Sequence, residues 1–372
     1  MSQPATAAST PAPAPAAPLQ PPRWIVSPRY DLGFFILSAG LTFAFYGVYR
    51  FAHHLGFVLR GDSILITYFL FTALFDQPHI FQTLSRTHFD REEFQKRRSL
   101  YTWGIAAFVA AGLGITAMGW EAELLVFAAL FGSWHIIRQH WGLIRAYKAV
   151  NRDWQPVDNW LDGLTFYVGM VACLFNDYSD IRGPVVVYRD LQARFPSLPP
   201  HAGEALWDVF LVLLVLFGIR QTWRVMEGRA VNVPKILLMA AALTTHYFVF
   251  FATATPFLVA EALETVYHDV QYQGWIMHYQ RRRFPGVRAV AAKWFSLAML
   301  YGLGVGIIEV MGLMNRGWAL WLFVPFTMLV LYHYYVDGLI WRFREYPELR
   351  ALLAGGAEQR LSAASASTSS RR

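Results

Sequence analysis

Hydrophobic residues in this chain come in long runs separated by short polar stretches. A helix needs about 20 apolar residues to cross the hydrocarbon core of a bilayer. Runs of that order occupy 32–52, 63–84, 101–119, 122–145, 160–177, 204–223, 234–254, 256–279, 291–313 and 317–341. The pattern predicts an all-α, polytopic integral membrane helix bundle of about ten transmembrane helices, in a single domain over 29–345. The eighth run is the most interrupted, with Glu261, Glu264, His268 and Asp269 inside it. Residues 1–28 are Ala/Pro-rich and lack the apolar core of a signal peptide; 346–372 are low-complexity. Both read as disordered tails. The long connection 177–203 reads as a loop with a short interfacial helix around Val185–Phe195.

Charge gives the bundle an orientation. The loops after the second, fourth, sixth and eighth runs are rich in Lys and Arg: Arg86, Arg91, Lys96, Arg97 and Arg98; Arg145, Lys148 and Arg152; Arg220, Arg224, Arg229 and Lys235; Arg281, Arg282, Arg283, Arg288 and Lys293. The loops after the odd-numbered runs hold only Arg50, Arg60, Arg182, Arg189, Arg194 and Arg316. The positive-inside rule then places both termini in the cytoplasm. A bacterial-type inner (plasma) membrane is the expected location.

Composition narrows the chemistry. Hydrophobic residues make up 55% of the 372 and charged ones 15%, a membrane rather than a soluble balance. The net charge of +7 sits in short loops, not on one polar face, so nucleic acid is not an expected partner. The single cysteine, Cys173, allows neither an intrachain disulfide nor a thiolate metal site. Any metal must use His, Asp or Glu.

Ionisable side chains are costly in a bilayer and usually functional there. Seven of the eleven histidines, His79, His88, His135, His140, His268, His278 and His333, fall at or just beyond the cytoplasmic ends of even-numbered runs. His79, His135, His140, His268 and His333 are the first choice of metal ligands, with Asp76 a further candidate. His88 and His278 lie in or beside basic loops and complete the candidate set. Residues four apart share a helix face. That spacing pairs Glu264 with His268 and Asp337 with His333, as co-ligands or as acceptors that fix an imidazole. His135 and His140 are five apart, about 140° around a helix, so they share one ion only if the helix distorts, or else face two ions. Arg138, between them, is a candidate for binding a substrate anion or neutralising Asp76 or Asp337. His246, in the seventh run, reads as a helix–helix hydrogen bond. Glu309 reads as the partner of Arg316.

His135-x4-His140 resembles one histidine box of the membrane fatty-acid desaturases and hydroxylases. Asp76-Gln77-Pro78-His79 is similar to an Asp-x-Pro-His element of the bacterial membrane carotene-cleaving dioxygenases. Both resemblances imply a helical membrane enzyme with one or two non-haem Fe²⁺ ions and a lipid or isoprenoid substrate. A desaturase-type reaction would also need a separate electron donor. His and carboxylate ligands suit iron, manganese or zinc. The expectation is therefore an iron-dependent oxygenase or desaturase/hydroxylase. The alternatives are an ion- or proton-coupled transporter or channel, bis-His haem ligation, and a zinc hydrolase.

Overall fold

The computed structural model describes residues 21–55, 62–179, 181–315, 317–347, 349 and 352–353. Most of both expected tails, 1–20 and 354–372, lies outside the described residues. Where the chain is described, packing reaches beyond the expected boundaries at 28 and 346. Ile25, Leu349 and Leu353 are buried in the largest hydrophobic cluster.

The helices follow the apolar runs. They are α1 (Pro28–His54), α2 (Ser63–Arg86), a short α3 (Arg91–Lys96), α4 (Arg98–Ala117), α5 (Glu121–Val150), α6 (Pro156–Ser179), α7 (Ala202–Met226), α8 (Val233–Ala252), α9 (Phe257–Arg283), α10 (Val290–Met314) and α11 (Trp318–Ile340). Local chemistry sets their starts. Ser27 caps α1 ahead of Pro28, Asp62 caps α2 by accepting from Ile64 and Leu65, and Asn232 caps α8 ahead of Pro234.

Seven of these helices, α1, α2, α4, α7, α8, α10 and α11, are long and apolar enough to cross a membrane. The chain is thus an all-α, multi-pass membrane bundle. The other three long helices, α5, α6 and α9, coincide with expected spans but are less apolar, and α5 and α9 also carry more charge. In α9 that charge is sheltered. The helix is buried along almost all of Leu258–Gln280, including Glu264, His268, Asp269, Gln271, Gln273, His278 and Gln280. A helix buried all round in a bundle need not be apolar, because neighbouring helices rather than lipid meet its polar groups. α7 is the opposite case, presenting Val209, Val212, Val215 and Ile219 outward.

One expectation is corrected. Val185–Tyr188 and Leu191–Ala193 form a two-stranded antiparallel hairpin, β1 and β2, where an interfacial helix was expected. Three consecutive valines before a tight turn favour a strand.

Within α2, residues Thr72–Asp76 form a π-helical turn immediately before Pro78 and His79. Pro78 has no N–H to donate into the preceding turn, which helps the ladder widen there. α10 lies against this irregularity. A Cβ on Gly302 would sit 2.4 Å from the carbonyl oxygen of Ala73 and 2.6 Å from the Pro78 ring, so only glycine allows the approach.

Candidate metal centre

His79 from α2, His135 from α5, His268 from α9 and His333 from α11 meet inside the bundle. Each offers a ligand nitrogen, and these four atoms all lie within 4.8 Å of one another. The rings form a closed cycle of near-perpendicular contacts. Centroids are 5.0 Å apart for His79–His268, 4.9 Å for His268–His135, 5.1 Å for His135–His333 and 4.5 Å for His333–His79. All four are buried.

Hydrogen bonds on the outer side of two rings fix which nitrogen points inward. His79 Nδ1 lies 3.0 Å from the Asp76 carbonyl oxygen and 3.0 Å from Asp269 Oδ1. His333 Nδ1 lies 2.6 Å from Thr83 Oγ1, which is 2.9 Å from the Tyr272 hydroxyl. A carbonyl oxygen only accepts, so His79 Nδ1 carries the proton and donates outward, leaving its Nε2 as a lone pair, while the Thr83 hydroxyl can either donate to or accept from His333 Nδ1. Those two Nε2 atoms face each other at 2.8 Å. His135 Nε2 and both nitrogens of His268 have no hydrogen-bond partner.

Buried ring nitrogens without hydrogen-bond partners are unfavourable unless a donor or an electrophile sits among them. Four neutral imidazoles fit a divalent transition ion. At metal–nitrogen distances of about 2.1 Å, tetrahedral ligands are about 3.4 Å apart, so a small opening of the His79–His333 contact admits an ion. A second group, Asp76, His79 and Asp269, shares His79 with the first. Its two carboxylates lie on the outer side of the His79 ring, where they hold the imidazole in place and would offset the charge of a bound dication. Gln77 Nε2 ties Asp76 Oδ2 to Glu309 Oε1, at 3.3 and 2.8 Å, and the Thr72 hydroxyl donates to the other Glu309 oxygen.

The remaining candidates fall elsewhere. His140 is buried but belongs to a different set with His246, 6.0 Å between ring centroids. Glu264 does not meet His268. It accepts from the Ser133 hydroxyl at 3.1 Å and lies 3.4 Å from His246 Nε2. Asp337 does not touch His333 directly. It accepts from Trp341 Nε1 at 2.7 Å and faces the Tyr272 hydroxyl. Arg138 is exposed on the outer side of α5 and donates to the Tyr167 hydroxyl at 2.8 Å. Both nitrogens of His88 are engaged, by Thr87 and by the Tyr101 carbonyl, and burial pushes its imidazole below the ordinary histidine range. His278 lies near the Leu353 carbonyl, 3.4 Å away. Arg316, the expected partner of Glu309, lies outside the described residues.

Asp269, Thr83, Tyr272 and His246 are the residues the sequence did not place at a site. Asp269 was visible as an acid inside an apolar run. Its link to His79 crosses between helices, where spacing along one helix carries no signal.

A buried cluster of histidine and aspartate able to hold a metal ion thus sits in a membrane-spanning helical bundle, as both sequence resemblances imply, and singles out neither of them. No protein-family model, curated protein or solved structure matches the chain.

Proposed function

We propose that this protein is a membrane-embedded, metal-dependent oxidoreductase: a non-haem iron oxygenase, desaturase or hydroxylase acting on a lipid or isoprenoid. One observation carries the proposal, the closed ring of four buried imidazoles whose ligand nitrogens all lie within 4.8 Å of one another. Four imidazoles complete a tetrahedral zinc shell but leave positions open on a six-coordinate iron. That asymmetry favours iron for catalysis. Iron, when bound, supplies activation of O₂. The chain's own residues do the rest. Asp269 and the Asp76 carbonyl hold the His79 proton on Nδ1, and Thr83, backed by Tyr272, anchors the His333 ring through its Nδ1. Tyr334 stacks on His135 with ring centroids 4.7 Å apart and restrains that ring. Burial keeps bulk water from the reacting atoms.

A substrate soluble in the bilayer suits a site enclosed by membrane helices. Reaction type decides the partners. Dioxygenation needs no external electrons, whereas hydroxylation or desaturation draws them from a separate donor. All ten long helices are taken to span an inner membrane, with both termini cytoplasmic.

The test is metal analysis of protein purified without chelator, joined to O₂ consumption with isoprenoid and acyl-lipid substrates. Bound iron, with uptake abolished by His135→Ala and His268→Ala, is expected. Zinc in place of iron would move the reading to hydrolysis. Ion flux in proteoliposomes with no bound transition metal would overturn it in favour of transport.

A further inference from the structure

Beside the tetrad lies a second set of acceptors that the ring of four histidines does not use. His140 on α5, His246 on α8 and Glu264 on α9 are all buried. His140 Nδ1 is 2.9 Å from the Ile136 carbonyl, and His246 Nδ1 is 3.1 Å from the Ala242 carbonyl, each one helical turn back on its own helix. A carbonyl oxygen only accepts, so both Nδ1 atoms carry protons and both Nε2 atoms are bare lone pairs. Neither Nε2 has a hydrogen-bond partner, and neither does Glu264 Oε1. His246 Nε2 nevertheless lies 3.4 Å from Glu264 Oε1. The other carboxylate oxygen is occupied by the Ser133 hydroxyl.

A lone pair facing a carboxylate oxygen in a low-dielectric interior requires an electrophile between or beside them. A single proton shared by His246 and Glu264 satisfies two of the three orphaned atoms and leaves His140 Nε2 bare. A metal ion satisfies all three. Two imidazoles and one carboxylate, with coordination positions left over, form a donor set typical of non-haem iron(II) and acceptable to zinc or manganese. The ring geometry is compatible with a shared ion. Two imidazoles bound through Nε2 at about 2.1 Å place their centroids roughly 5–6.5 Å apart. The observed separation is 6.0 Å, at an interplanar angle of 88°.

We propose that His140, His246 and Glu264 form a second binding site for a divalent first-row transition ion, distinct from the tetrad. The three ligand atoms are more widely spread than those of the tetrad, which with the Asp76 group meets the 4.8 Å spacing among the described residues. The ion is held first by His246 and Glu264, and His140 closes on it. His135 and His140 point about 140° apart on α5, so one helix feeds both sites without distortion. Gln139 Nε2, between them, bonds the His268 carbonyl at 2.9 Å and locks α5 to α9 in that register. The proposal does not rest on the identity or the occupancy of the tetrad ion.

The experiment is metal stoichiometry of the full chain in detergent, stripped with chelator and reloaded anaerobically with Fe²⁺, then with Co²⁺. The wild-type protein is expected to bind two equivalents. The double variant His140→Ala/His246→Ala is expected to bind one, as is the tetrad variant His268→Ala. Glu264→Gln, the milder change, is expected to weaken the second equivalent at least tenfold. Co²⁺ loaded into His268→Ala reports the second site alone through its visible ligand-field bands, which should vanish on adding His246→Ala. One equivalent in the wild-type protein, lost with His268→Ala and unmoved by Glu264→Gln, overturns the proposal even if the double variant fails to fold. One equivalent retained by His268→Ala and lost with Glu264→Gln would instead uphold this site and sink the tetrad.

Discussion

Where α5 turns into α6, buried charge meets buried charge; at the middle of the bundle, buried imidazoles meet imidazoles. In the first region Lys235 Nζ lies 2.8 Å from Asp153 and 2.8 and 2.9 Å from the two oxygens of Asp162, and Lys148 contacts Asp162 as well. Arg224 spans Asp153 at 2.7 Å and Asp158 at 3.2 Å, and Arg220 reaches Asp158 at 2.6 Å. These groups come from α5, α6, α7, α8 and the loop between α5 and α6, so the network staples four helices. In the second region His79, His135, His268 and His333 are just as buried, but His79 and His333 meet only each other at Nε2, and His135 Nε2 and both nitrogens of His268 have no hydrogen-bond partner. Burial alone does not tell a staple from a ligand site. Pairing does: closed ion pairs hold helices together, while converging lone pairs call for a guest.

The largest effect should separate the two regions outright. His268→Ala should remove the tetrad ion entirely, dropping metal content by one equivalent and abolishing metal-dependent turnover. The stripped protein should keep its fold, because neither ring nitrogen of His268 makes a hydrogen bond. Asp153→Ala should do the reverse. Removing one partner leaves Lys235 and Arg224 buried with too few counter-charges, at a cost of about 3–5 kcal/mol. Thermal unfolding in detergent should register the loss, with the metal content of the surviving folded protein unchanged. If Asp153→Ala emptied the tetrad while the protein stayed folded, the division into staple and site would fail.

Much of this layout was legible in the sequence, for reasons that differ by residue. His79 and His333 sit in the last third of their apolar runs and His135 and His268 near the middle of theirs, and hydrophobic length with loop charge is enough to bring such positions to a similar depth. The carboxylate partners were misread because spacing by four reads contacts along one helix only. Glu264 and His268 share a face, yet Glu264 meets His246 on α8, and His79 finds its acid, Asp269, on α9. Arg138 was readable against its role. Between His135 and His140 in sequence, it points about 130° from their mean direction on a regular helix, hence outward. The basic loops looked like topology signals alone. In the structure several of their residues, among them Arg86, Arg97, Lys148, Arg224, Lys235 and Arg283, are paired with carboxylates. The positive-inside rule counts Lys and Arg whatever acids lie beside them, so it survives that pairing.

A smaller effect probes the border between staple and site. Asp269→Asn keeps an acceptor for His79 Nδ1 but removes the charge that offsets a dication. Changes to such outer partners weaken metal affinity by about 10–100-fold. Competition against a chelator of known affinity measures it. An unchanged affinity would mean that Asp269 merely fills space beside His79.

Acidification gives the smallest effect and tests the ionic region by itself. Burial works to raise the Asp153 carboxyl, but Lys235, Lys148 and Arg224 outweigh it and hold it at about 2, below its ordinary value of 3.8. Asp90, beyond the end of α2, is also held low: burial raises it, while hydrogen bonds from Arg283 and Tyr279 prevail. A carboxylate whose folded value is depressed binds its proton more readily when unfolded, so stability rises with pH across the gap. The Asp153 contribution, about 2 kcal/mol, is therefore fully present above about pH 4 and is lost as pH falls toward 2. Stability should stay flat with respect to these two groups from pH 5 to 8, then decline below about pH 4. Asp153→Asn should flatten much of that decline while lowering stability at neutral pH. Because these carboxylates lie in the loops, apart from the four imidazoles, the acid-induced loss should be equal in metal-stripped and metal-loaded protein, once the stabilisation by bound ion is subtracted. A decline that moved with metal loading would show that the ionic ends and the histidine centre form one cooperative unit.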